Sequence, residues 1–123
     1  MFTKTQIGTL AEKITGAADQ RDRVLTGSAK TLRTLFQLYA DEFTAAQRLA
    51  KREKDPEFRT VLEAKAARSL VLYRLFYAAW FIKDNALGLL HPAVETELLE
   101  AIEAYHAALY LLHLNQLAEH AHN

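Results

Sequence analysis

Leu70-Val-Leu-Tyr-Arg-Leu-Phe-Tyr-Ala-Ala-Trp-Phe-Ile82 holds a single charge, Arg74, among thirteen residues. The run is too short for a membrane span, which needs about 20 apolar residues. It lacks the alternation of apolar and polar side chains that marks a half-buried strand, so it reads as the middle of a helix. A helix that is apolar on nearly every side has to be surrounded. That requirement predicts a bundle with this segment as its spine. In a chain of 123 residues the remaining helices can barely cover it, so part of the segment is expected to meet another subunit. The aromatics Tyr73, Phe76, Tyr77, Trp80 and Phe81 are expected as core or as interface.

The neighbouring segments extend the pattern. Asp55-Pro56-Glu57 starts the spine helix: Asp55 can cap, Pro56 needs no N–H partner in the first turn, and Glu57 meets the positive end of the helix dipole. The helix is expected to run from Pro56 to about Leu87, with Gly88 as its C-cap. Upstream, Leu32, Leu35, Phe36, Tyr39, Phe43, Ala46, Leu49 and Ala50 recur at three-four spacing. They predict a helix from an N-cap at Ser28 to near Lys54. Ile7, Leu10 and Ile14 predict a short helix over Thr5 to Thr15, ended by Gly16. A polar helix follows from Asp19 to Leu25, broken at Thr26-Gly27-Ser28. Downstream, His91-Pro92 restarts the chain, and Val94, Leu98, Ile102, Tyr105, Leu109 and Leu112 form a buried stripe on a last helix ending near Glu119. No strand pattern, repeat or low-complexity stretch interrupts this reading. The expected fold is an all-α, elongated up-and-down bundle: three long helices plus one or two short N-terminal helices, in a single domain over residues 1–123.

Half the residues are hydrophobic and 24% are charged, an ordinary globular composition. There is no cysteine, which excludes disulfides, thiol nucleophiles, zinc ribbons and iron–sulfur clusters. Gly-rich phosphate loops, nucleophile elbows and paired-histidine zinc motifs are also missing. Met1 to Gly16 has no uninterrupted apolar core of a secretion signal, so a cytoplasmic location with no membrane contact is expected. No cofactor is called for.

A formal net charge of +0 hides a division. All fifteen Lys and Arg lie between Lys4 and Lys83, against nine acids, a balance of +6. The rest of the chain has six acids, no Lys or Arg, and all five histidines. Two readings follow. Acidic and basic helices can lie side by side and cancel. Alternatively, a cationic face contacts phosphates. The candidates for the second reading are Lys30, Arg33, Arg48, Lys51, Arg52, Arg59, Lys65, Arg68 and Arg74. Arg74 can equally snorkel to the surface or pair with an acid on a neighbouring helix.

His106, His113 and His120 recur every seven residues and share one side of the last helix. Glu103 and His106 form an E-x-x-H pair of the kind that ligates metals in carboxylate-bridged bundles. Such a site needs a second pair on a facing helix. Glu119-His122 lies on the same helix, and Glu42 and Glu63 are the only distant partners, so surface or interface histidines are the plainer reading. Tyr77-Ala-Ala-Trp-Phe is similar to part of the helical RNases with an R-x4–6-H motif, but no His follows an Arg at that spacing.

Three blocks, in order, resemble the small helical subunit of type III-A CRISPR effector complexes. Leu25-Thr-Gly-Ser-Ala-Lys-Thr-Leu-Arg-Thr-Leu-Phe36 is similar to that family's L-T-x-x-Q-[LI]-R-x-[LF] helix start, with the glutamine replaced. Leu62-Glu-Ala-Lys-Ala-Ala-Arg-Ser-Leu-Val-Leu-Tyr-Arg74 resembles its basic segment ending Y-x-x-G-R, without the glycine. Leu99-Glu-Ala-Ile-Glu-Ala-Tyr-His106 is similar to its E-A-[IL]-V-A-Y closing motif, although this chain continues for seventeen residues. The resemblance implies a non-catalytic bundle that stacks in several copies along a crRNA–target RNA duplex, beside other effector subunits. Lys30, Arg33, Lys65, Arg68 and Arg74 would be its backbone contacts. The alternative, from residue chemistry alone, is a homo-oligomeric helical adaptor or inhibitor acting through the apolar segment 70–82. A carboxylate/His metal-binding bundle ranks third.

Overall fold

The computed structural model describes residues 2–84 and 90–122, with side chains described as far as residue 118. The described residues form five helices and no strand: α1 (Lys4–Thr15), α2 (Ala18–Thr26), α3 (Ala29–Arg52), α4 (Pro56–Asp84) and α5 (Pro92–His122). The all-α bundle read from the periodicity is the fold observed.

Local chemistry sets the boundaries. Gly16 adopts φ 73, a left-handed conformation that glycine reaches cheaply, and its N–H closes α1 by donating to the Glu12 carbonyl. The Ser28 hydroxyl accepts from the Thr31 N–H at 3.1 Å and so caps α3. Asp55 Oδ1 accepts from the Glu57 N–H at 3.0 Å at the start of α4. At the other end of the chain, Thr3 and Gln6 form a reciprocal capping box on α1. That T-x-x-Q signal stands in the sequence and moves the helix start to Lys4. α3 ends at Arg52, two residues before the expected Lys54. There the Arg59 side chain swings back and donates twice to the Glu53 carbonyl, at 2.9 and 2.6 Å, fixing the turn. α5 runs past the expected Glu119 to His122. The expected end of α4 at Leu87 and its Gly88 cap lie outside the described residues.

α4 is the centre of the bundle. α3 packs along it on one flank and α5 on another, while the α1–α2 hairpin covers it at one end. α3 and α4 are joined by a three-residue turn and must run antiparallel. α4 and α5 are antiparallel too: Arg74 meets Glu97 near one end, and Thr60 meets Asn115 near the other. Val71, Leu72, Leu75, Phe76, Ala78 and Ala79 are buried inside the chain itself, with Ile7, Ala11, Val24, Leu32 and Leu98 closing over them. Each fully buried large side chain contributes roughly 1.5–3 kcal/mol relative to exposure. The Phe36 ring meets Tyr73, Tyr77 and Trp80 edge-on, with centroids 6.0, 5.3 and 5.6 Å away, and Tyr39 stacks on Phe76 at 5.6 Å. Such pairs add to burial energy. Phe76 is therefore interior, whereas Tyr73, Tyr77, Trp80 and Phe81 keep part of their surface.

The two ends of the bundle differ. Where α3 begins, α4 ends and α5 begins, the hairpin forms a further layer: Lys83 Nζ reaches the Gly27 carbonyl at 2.7 Å, and Gln20 reaches the Tyr39 hydroxyl at 3.3 Å. At the opposite end no helix among the described residues adds such a layer to α3, α4 and α5. Phe58 and Val61 of α4, Leu49 of α3, and Leu111, Leu114 and Leu117 of α5 are all exposed there.

Candidate nucleic-acid interface

The basic residues of α3 share a face because of their spacing. Lys30 and Arg48 are eighteen residues apart, as are Arg33 and Lys51. Eighteen residues make five helical turns, so each pair is aligned and separated by ~27 Å. Arg52 joins them in the final turn. Leu32, Tyr39, Ala46 and Ala50 on the other face are buried against the bundle, which turns the cations outward. Lys30, Arg33, Arg48, Lys51 and Arg52 are all exposed. None of the five has a carboxylate within 4.0 Å among the described residues. Asp41 lies on the same face between the two groups. Arg48, Lys51 and Arg52 also stand at the negative end of the α3 dipole, which favours cations there.

The remaining candidates do not join this face. Arg59 is spent on the Glu53 carbonyl, although it borders a shallow groove with Lys51 and Glu63. Arg68 is nine residues beyond Arg59, half a turn out of phase, so it and Lys65 lie on another side of α4. Both are exposed. Arg74 is taken up within the chain. Its guanidinium meets Glu97 at 2.8 Å and lies over the Tyr73 ring at 5.0 Å. The pairing with an acid on a neighbouring helix is the arrangement found.

Among the described residues no group of three or more His, Asp or Glu side chains could hold a metal ion. Glu103, His106, Glu42 and Glu63 are exposed and do not converge. His113 is also exposed, while the side chains of Glu119, His120 and His122 lie outside the described residues. His106 instead borders an apolar cleft between α1 and α5 with Leu10, Ile14, Ile102, Tyr105 and Leu109. Lys4 has its pKa lowered from 10.5, first by burial and then by the nearby Lys83 charge. No described helix is long and apolar enough to cross a membrane.

The sequence left two features unread. One is the open end of the bundle, which depends on how far the short α1–α2 hairpin reaches. The other is the exposure of α5, whose residues 104–118 have no Lys, Arg, Asp or Glu and yet face solvent at Tyr110, Leu111, Leu114 and Leu117. The absence of charge was legible in the sequence; its position outside the bundle was not.

Compared with protein-family models, curated proteins and solved structures, the chain finds no match.

Proposed function

We propose that the chain is a non-catalytic subunit that binds RNA backbone through the outer face of α3, within an RNA-guided effector complex. The observation that carries the reading is the set of five exposed cations on α3, none with a carboxylate partner among the described residues. Unpaired guanidinium and ammonium groups on a rigid helix suit phosphates, which are periodic and anionic and need no base contact. The resemblance of the three sequence blocks to the type III-A small subunit supplies the effector context. Lys65 and Arg68 serve a second strand or a second position on the same strand; Arg74 anchors α5 and is not a contact.

Fluorescence anisotropy with a labelled single-stranded RNA of arbitrary sequence tests this. Binding is expected to be insensitive to sequence, with a log–log salt slope near −3.5 if all five cations each displace one counterion at about 0.7 per contact. Absence of binding at 50 mM salt would overturn it. An oligomeric adaptor acting through segment 70–82 has less support, since Val71, Leu72, Leu75, Phe76, Ala78 and Ala79 are covered within the chain.

A further inference from the structure

Taking the outer face of α3 as an RNA-backbone surface, we infer that it is a two-point clamp, which favours single strands long enough to bridge two separate groups of cations. Lys30 and Arg33 form one group, and Arg48, Lys51 and Arg52 form the other; residues 34–47 between them contain no Lys or Arg. The gap lies on the same face. Thr34, Gln37, Asp41 and Thr44 follow the line from Lys30 to Arg48 at steps of three and four residues, and all four are exposed. A strand crossing from one group to the other therefore passes over polar side chains and one carboxylate.

Distance makes the two groups independent. Arg33 and Arg48 are fifteen residues apart, ~22 Å along the helix. The Debye length at physiological salt is about 8 Å, so a phosphate held at one group is screened from the other. The middle of the face repels: Asp41 is exposed, with no cation within 4.0 Å among the described residues, and Glu42 stands beside it. Acids at the edges do not cancel the second group. Glu53 follows Arg52, and Glu63 borders the groove beside Lys51; neither comes within 4.0 Å of Arg48, Lys51 or Arg52. Such a face treats RNA as a bivalent ligand. A short strand occupies one group and leaves the other empty. A strand that spans both makes its second contact within the complex, at an effective concentration on the order of millimolar. The ~27 Å from Lys30 to Arg48 equals about eight nucleotides of stacked strand, at about 3.4 Å each. Affinity should therefore rise in a step near that length, whereas an unbroken cationic stripe would gain evenly with each nucleotide.

Fluorescence anisotropy of the full chain with labelled oligouridines of four, six and twelve nucleotides, at 0.1 M salt, tests the clamp. The four-mer and six-mer are expected to bind within about threefold of each other, and the twelve-mer about tenfold or more tighter than the six-mer. The double substitution Lys30→Gln and Arg33→Gln is expected to weaken the twelve-mer about tenfold and to leave the six-mer within about twofold, because the short strand sits on Arg48, Lys51 and Arg52. Lys30 and Arg33 are both exposed, so the circular dichroism is expected to stay unchanged. Equal affinity for six and twelve nucleotides, an even gain per added nucleotide, or an equal loss at both lengths in the variant overturns the clamp while leaving RNA binding in place. Absence of binding at every length overturns the clamp and RNA binding together.

Discussion

α3 and α5 occupy comparable positions along the central helix, yet their outer faces are chemically opposite. α3 presents Lys30, Arg33, Arg48, Lys51 and Arg52 to solvent; residues 104–118 of α5 present Tyr110, Leu111, Leu114 and Leu117 and hold no Lys, Arg, Asp or Glu. Both helices bury an inner face on α4, so packing alone does not require the difference. An outer face of long cations costs nothing in water and attracts anions, whereas an outer face of leucines is a standing incentive to associate. A neutral total charge conceals two surfaces suited to different partners.

The comparison assumes that α4 is a common spine, and that assumption can be broken most severely at Phe76. Replacing Phe76 with Ala removes a ring that is 0% exposed and stacks on Tyr39. A loss of about 3–5 kcal/mol is expected in denaturant unfolding. A loss below 1 kcal/mol would mean that α3 does not rest on α4 as described.

Smaller substitutions separate the flanks. Ser28→Ala removes the cap of α3 alone and is expected to cost about 1 kcal/mol, read from the denaturant midpoint. Arg74→Met removes the ion pair that ties α4 to α5. The pair is partly exposed, at 26% and 48% for the two side chains, so a cost of at most about 1 kcal/mol is expected. A double-mutant cycle with Glu97→Gln isolates the pair. The smallest effect belongs to the hairpin end. Lys4 has a lowered pKa in the folded chain, so the unfolded chain holds that proton more tightly. Stability from this group is therefore gained as pH rises from below the folded pKa toward 10.5. Lys4→Met is expected to abolish that small gain in melting temperature relative to the native chain; an unchanged pH profile would remove the assignment.

Much of the fold was legible in the residues. Gly16, Ser28 and the Asp55-Pro56 pair each mark a boundary because they impose a backbone angle or satisfy an orphan N–H, effects confined to one turn. The spine at 70–82 was legible because an all-apolar helix has one physical solution. The same logic left open how much of it other helices cover: Val71, Leu72, Leu75, Phe76, Ala78 and Ala79 are buried, while Tyr73, Tyr77, Trp80 and Phe81 keep part of their surface. The periodicity of α5 marks one buried stripe from Val94 to Leu112, yet Leu109 in it is 40% exposed; how far a two-helix hairpin reaches along α5 depends on tertiary geometry. The site was half legible. The eighteen-residue spacing aligns Lys30 with Arg48 and Arg33 with Lys51 on any helix. That Arg74 would be met by Glu97 required the register between α4 and α5, which the single sequence does not contain.

The central claim concerns where the cations lie and not how many there are. Two variants that each lose three positive charges test it directly against single-stranded RNA. With Arg48, Lys51 and Arg52 changed to Gln, the salt slope is expected to fall by about 2 and affinity at 0.1 M salt by about a hundredfold. With Lys4, Lys13 and Arg23 of the hairpin changed to Gln, binding is expected to stay within a few-fold of the native chain. Equal losses in the two variants would contradict the account, since RNA would then be responding to net charge and not to the face of α3.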